Sequence, residues 1–129
     1  MVATCQAGPA KRSLNGLDDN VGSVRLDPHT MVQPDAYVLR VGVEEPSGPW
    51  QAASIVLAVE ISASTSKRDK PKAAAYARAS IEHDWRYDVA TSTLHRYSAP
   101  IGNRYGEVVA DPIEPRDLAG AVAEYGRSV

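Results

Sequence analysis

Two carboxylates and a lysine carry the chemistry that this sequence offers. Pro34-Asp35 opens one strand-like run, Glu60 lies near the end of the next, and Lys72 falls on the helix that follows. That set suits phosphodiester hydrolysis assisted by a divalent metal. Magnesium takes hard oxygen ligands in octahedral geometry and usually engages only one or two protein carboxylates. Asp35 and Glu60 on adjacent strands, with the backbone carbonyl of Ile61 directly after Glu60, would form the protein side of such a shell. A metal held there lowers the pKa of a water and neutralises charge developing on a phosphate. A nearby lysine orients the attacking water or stabilises that charge. Plainer readings stand beside these. Asp35 after a proline reads as a turn residue, Asp69 as a helix N-cap, and Lys72 as a solvated lysine. Glu60 is harder to dismiss, because an unpaired charge in so apolar a strand is costly to bury.

The elements that must position these residues follow from pattern. In Ile55 to Ser62, alternation puts Ile55, Leu57, Val59 and Ile61 on one face and Val56, Ala58, Glu60 and Ser62 on the other. This is the strongest strand in the chain. Ala36 to Val41 is a second, rich in β-branched and aromatic residues. It ends in the loop Glu44-Glu45-Pro46-Ser47-Gly48-Pro49, and a short strand at Val24-Arg25-Leu26 precedes it. After a Ser/Thr-rich turn over Ser62 to Ser66, the alanines and Pro71 predict a helix over Lys70 to Ser80, with Asp69 as its N-cap. Lys72 and Tyr76, four apart, share a face of it. Trp85 to Val89 and Leu94 to Ser98 read as a hairpin about the turn Asp88 to Thr93, and Tyr105 to Ala110 as a further strand. Pro115 to Tyr125 fits an amphipathic helix with Leu118, Val122 and Tyr125 inward. The order predicts an α+β domain on a single mixed sheet with flanking helices. Residues 1–20 show no period and are expected to be an irregular lead-in to a domain over 21–129.

Composition sets the outer bounds. A length of 129 residues suits one domain, and 43% hydrophobic with 23% charged residues is ordinary for a soluble globular protein. The longest strongly apolar stretch, Ile55 to Val59, is far too short to span a bilayer. The amino terminus lacks the apolar core of a secretory signal, so a cytoplasmic location and no membrane partner are expected. Cys5 is the only cysteine, which excludes an internal disulfide and a cysteine-based zinc cage. His29, His83 and His95 show no metal-ligand spacing. A net charge of −2 argues against a protein that coats nucleic acid. It does not argue against a nuclease, which needs only a local patch. Lys67, Arg68, Lys70, Lys72 and Arg78 supply one in sequence, or simply a solvated helix face.

The segments PDAYVLR, IVLAVEISAST, DKPKAAAYARASI and HDWRYD, in that order, resemble the Uma-two restriction endonuclease family of the PD-(D/E)XK nuclease superfamily, which is abundant in bacteria. The family pattern runs Pro-Asp and a strand, then Val-Glu-Val with Ser-Pro-Ser-Thr. An Asp follows, then Lys-x-x-x-Tyr-Ala on a helix, then Tyr-Trp-x-Val-Asp. Here Pro34-Asp35, Val59-Glu60-Ile61, Ser62-Ala63-Ser64-Thr65, Asp69, Lys72, Tyr76-Ala77, Trp85 and Asp88 fall in that order, so the similarity covers Gln33 to Asp111. The resemblance implies a restriction-endonuclease-like fold and a magnesium- or manganese-dependent endonuclease acting on DNA. Asp35 and Glu60 would be metal ligands with the Ile61 carbonyl. Lys72 would be the displaced catalytic lysine, because Ser62 occupies the place two after the glutamate where the superfamily often has one. Asp69 would be a supporting site residue, and Tyr76 and Trp85 would be core.

The sequence also departs from that pattern. Ala63 replaces the usual proline, Asp84 stands where an aromatic is common, and the Asp69-to-Lys72 spacing is one residue short. Residues 1–32 show neither the family's early acidic residue nor its first helix. The expected core is therefore truncated at the amino terminus, with an exposed sheet face that a homodimer would cover. Three readings stay open: a DNA endonuclease, a degenerate nuclease-fold relative acting as a binding or interaction module, and an unrelated α+β module.

Overall fold

The computed structural model describes residues 4–6, 23–63 and 69–128, with only the backbone described for 4–6, 69–71 and 128. The strands are β1 (Thr4–Gln6), β2 (Val24–Asp27), β3 (Thr30–Val32), β4 (Ala36–Leu39), β5 (Trp50–Gln51), β6 (Ile55–Ser62), β7 (His83–Asp88), β8 (Thr93–Ile101) and β9 (Arg104–Pro112). Two α-helices, α1 (Asp69–Arg78) and α2 (Pro115–Ser128), and a 3-10 turn over Ala52–Ser54 complete the described elements. Six strands form the main sheet in the order β1-β4-β6-β7-β8-β9. Among its described strands the one parallel pair is β6 with β7. Parallel neighbours need a crossover, and α1 lies between them in sequence.

From Leu57 onward the alternation of β6 sets the layers, but its first two residues reverse the expected faces: Val56 joins Leu57 and Val59, and Ile55 joins Ala58, beside the register shift at Val38/Leu39. Leu57 and Val59 pack with Val38, Trp85, Tyr87 and Leu94 against Leu118 and Val122 of α2. Tyr87 also ties that layer down, its hydroxyl donating to the Ile113 carbonyl at 2.6 Å just before α2. On the other face, Tyr37, Leu39 and Ala58 meet Tyr76 and Ala77 of α1, together with Ile81 and Tyr105. The alanines of α1 hold little bulk, so this helix can lie close to the sheet.

The way α1 ends matters for the site. Ser80 takes a positive φ of 63°. Ile81 N–H then bonds back to the Tyr76 carbonyl at 3.2 Å, and Ser80 N–H to the Ala77 carbonyl at 2.9 Å. This is a Schellman cap, and Ile81 shares a core cluster with Tyr76, the hydrophobic pairing that often accompanies the motif. The helix therefore stops at Arg78 rather than at Ser80, and Tyr76 is fixed by the cap as well as by the core.

Three expectations need correcting. The sheet is not single: β2, β3 and β5 form a second, three-stranded sheet, whose Val24 and Trp50 close the α1-side core. Its strands are two to four residues long, too short for alternation to show. The run Ala36 to Val41 leaves the ladder after Leu39, where a bulge at Val38/Leu39 turns the chain and Arg40 N–H bonds to the Ser54 carbonyl instead. Residues 4–6 are not an irregular lead-in: they pair antiparallel with β4 at the sheet edge. The place of the family's first helix lies outside the described residues. No helix among those described is long and apolar enough to cross a membrane.

Candidate active site

Glu60 sits on the α1 face of β6, and only 8% of it is exposed. Two residues of α1 reach its Oε1. The Tyr76 hydroxyl donates to it at 2.8 Å, and the Lys72 Nζ stands 4.0 Å away. The four-residue spacing that puts Lys72 and Tyr76 on one helix face thus brings both to one carboxylate oxygen. Burial pushes the Glu60 carboxyl above the ordinary range. The hydrogen bond from Tyr76 and the charge of Lys72 pull it back, while the negative charge of Asp35 adds to the rise.

Asp35 stands just before β4 and is exposed. Its N–H bonds to the Val59 carbonyl at 3.0 Å, and its Oδ2 accepts the Ile61 N–H at 2.7 Å. The carboxylate is therefore pinned across the ends of two strands, one residue along from Glu60. In an extended strand the N–H and C=O of one residue point to the same edge. The Ile61 carbonyl thus lies on the β4 side of β6, with Asp35. Lys72 is half exposed and extends from the first turns of α1. Asp69 is the first residue of α1, but its side chain lies outside the described residues, as do those of Lys67, Arg68 and Lys70. Lys72 and Arg78, the other members of the basic cluster, are both exposed.

Sequence reasoning assigned Tyr76 to the core. It is in the core, and its hydroxyl is also bonded to Glu60. Arg86 was given no role from the sequence, and Asp84 was noted there only as a departure from the family pattern. Arg86 is the register partner of Glu60 on the parallel strand β7. Its guanidinium lies 5.4 Å from the centre of the Tyr76 ring. Asp84 Oδ2 accepts from Arg86 Nε at 3.0 Å and lies 3.0 Å from its second terminal nitrogen. The one signal available was the spacing Asp84-x-Arg86-x-Asp88 on a strand, which places three charged residues on one face.

The donor set suits a hard cation. Asp35, Glu60 and the Ile61 carbonyl offer oxygens only, and the two carboxylates repel each other, a cost that a divalent ion would relieve. Among the described residues no group of three or more His, Cys, Asp or Glu lies together as a metal cluster. Any ion here would complete its shell with water or substrate oxygens, as magnesium commonly does.

The family model described as "Putative restriction endonuclease", Uma2, matches residues 14–123. The chain belongs to the Uma2 family. The match runs beyond Gln33 to Asp111 on both sides, and it includes Asp35, Glu60, Ile61, Asp69, Lys72, Tyr76, Asp84 and Arg86. No curated protein matches the chain. The mixed sheet with helices on its two faces agrees with the restriction-endonuclease-like fold of Uma2 proteins.

Proposed function

We propose that this Uma2 protein is a metal-dependent endonuclease that hydrolyses DNA phosphodiester bonds. Asp35, Glu60 and the Ile61 carbonyl are the residues that would hold magnesium or manganese. When bound, such an ion supplies an acidified water and charge neutralisation at the phosphate. Asp35 contributes a carboxylate whose position is set by its bond to the Ile61 N–H. Glu60 contributes a second from the neighbouring strand. Lys72 is half exposed at the mouth of this pair, where its ammonium can orient the attacking water and offset phosphate charge. Asp69, at the start of the same helix, is the supporting residue.

The observation that carries this reading is the convergence of Asp35 and Glu60 at the adjoining ends of β4 and β6. A DNA cleavage assay with Mg²⁺ or Mn²⁺ tests it. Wild type should nick or cut DNA only with the ion, and Glu60→Ala should not.

One observation favours a second reading, a non-catalytic nuclease-fold protein that binds without turnover. The only lysine reaching Glu60 among the described residues stands beside the carboxylate itself, and Ser62 occupies the usual lysine position. Metal binding that depends on Glu60, with no cleavage by wild type, would select that reading.

A further inference from the structure

Tyr76 is fully buried, and its ring is held on several sides. The core cluster of Tyr37, Ala58, Ala77, Ile81 and Tyr105 surrounds it, the Schellman cap fixes its backbone carbonyl, and the Arg86 guanidinium lies against its ring. Arg86 is itself clamped by Asp84. The hydroxyl at the end of this rigid assembly donates to Glu60 Oε1 at 2.8 Å. Lys72 approaches the same oxygen but is half exposed on a flexible stem, so it cannot fix the carboxylate in the same way.

We propose that Tyr76 is a positioning residue for Glu60. It holds Oε1 from the helix side, so that Oε2 is the oxygen offered to a divalent ion. This rests on the metal-site reading above. The chain Asp84–Arg86–Tyr76–Glu60 then links β7, α1 and β6 through polar contacts, and α1 acts as the brace of the ligand. The physical need is plain. A glutamate has three side-chain torsions, and a ligand left to sample them binds an ion more weakly than one already ordered. Loss of such a supporting hydrogen bond typically weakens metal affinity by about 10- to 100-fold.

A second buried tyrosine supplies the control. Tyr105 lies in the same core and donates its hydroxyl at 2.7 Å to the Ile81 carbonyl rather than to Glu60. Removing either hydroxyl leaves a buried partner unsatisfied, so the two Tyr→Phe variants should show similar drops in urea midpoint. Only one should change the metal site. The experiment is calorimetric titration of Mn²⁺ into wild type, Tyr76→Phe, Tyr105→Phe and Glu60→Ala, with melting curves to confirm folding.

The expected result is a loss of at least about 10-fold in Mn²⁺ affinity for Tyr76→Phe. Tyr105→Phe should stay close to wild type, and Glu60→Ala should bind no measurable Mn²⁺. If Glu60→Ala loses binding while Tyr76→Phe matches wild type, the positioning role is overturned and the metal site stands. If Glu60→Ala binds as wild type does, the metal-site reading fails and takes this inference with it. Should Tyr76→Phe unfold, the same question is put through Glu60→Asp, which draws the carboxylate back from the hydroxyl with Tyr76 intact. It should lose affinity to a similar degree, and wild-type affinity in that variant would contradict the proposal.

Discussion

Asp35 takes the Ile61 N–H at 2.7 Å, so a side chain supplies the rung that the backbone of β4 no longer provides. The ladder between β4 and β6 ends at Ala36 opposite Val59, and Asp35 extends it by one step with its carboxylate. The same bond aims the acid at the end of β6 where Glu60 lies. Structure and charge can be separated at this residue. Asp35→Asn keeps an acceptor oxygen for Ile61 and loses the charge. It should hold thermal stability within about 0.5 kcal/mol and lose most Mg²⁺ affinity. Asp35→Ala loses the rung as well, at a further cost of about 1 kcal/mol in urea unfolding.

Ser80 provides a test of the cap on α1. An L-residue in the left-handed region costs about 1–2 kcal/mol, and glycine does not incur that cost. The Ser80 side chain is exposed. Ser80→Gly should therefore raise stability by about 1 kcal/mol, read as a higher urea midpoint with an unchanged slope.

His83 sets a pH dependence. It begins β7 and packs edge-on against Tyr125 of α2, with ring centres 5.3 Å apart. Burial holds its pKa below the ordinary histidine value, although the Glu82 carboxylate opposes this. Below about pH 6.5 the unfolded chain binds a proton at this position that the folded chain resists, so the unfolded state is favoured. Stability should fall as pH drops through that value, until the folded histidine itself protonates. His83→Phe keeps a ring against Tyr125 and should flatten the fall in melting temperature between pH 7 and pH 5.

The Asp84–Arg86 pair is buried on β7, and Asp84→Ala removes the carboxylate that two of the Arg86 guanidinium nitrogens face. Asp84→Ala should cost about 3–5 kcal/mol. Asp84→Leu combined with Arg86→Met should recover much of that loss in chemical denaturation. Failure of the double variant to regain stability would mean that the pair's further contacts, rather than its charges, hold β7 in place.

Much of this arrangement is legible in sequence where a residue breaks a pattern. Glu60 interrupts the small-residue face of β6, and the strand and its bounds follow from alternation. The helix face shared by Lys72 and Tyr76 follows from spacing, and the inward Leu118 and Val122 of α2 follow from amphipathicity. What stayed hidden was set by long-range register. Nothing local to β7 says that Arg86 will lie beside Glu60, because that pairing depends on how the crossover through α1 aligns two parallel strands. The small sheet was hidden for a different reason. Val24 pairs with Trp50 across more than twenty residues of chain, in strands too short to carry a period. The bond from Asp35 to Ile61 is likewise a feature of strand ends, where side chains replace backbone partners.

The most direct test of the central claim is Mg²⁺ titration by calorimetry into wild type and Glu60→Ala, with supercoiled DNA cleavage followed on the same samples. The account predicts that wild type binds the ion and nicks DNA only in its presence, and that Glu60→Ala does neither while remaining folded. Equal Mg²⁺ binding by the two proteins would contradict it, leaving Glu60 as a structural carboxylate held by Tyr76 and Lys72.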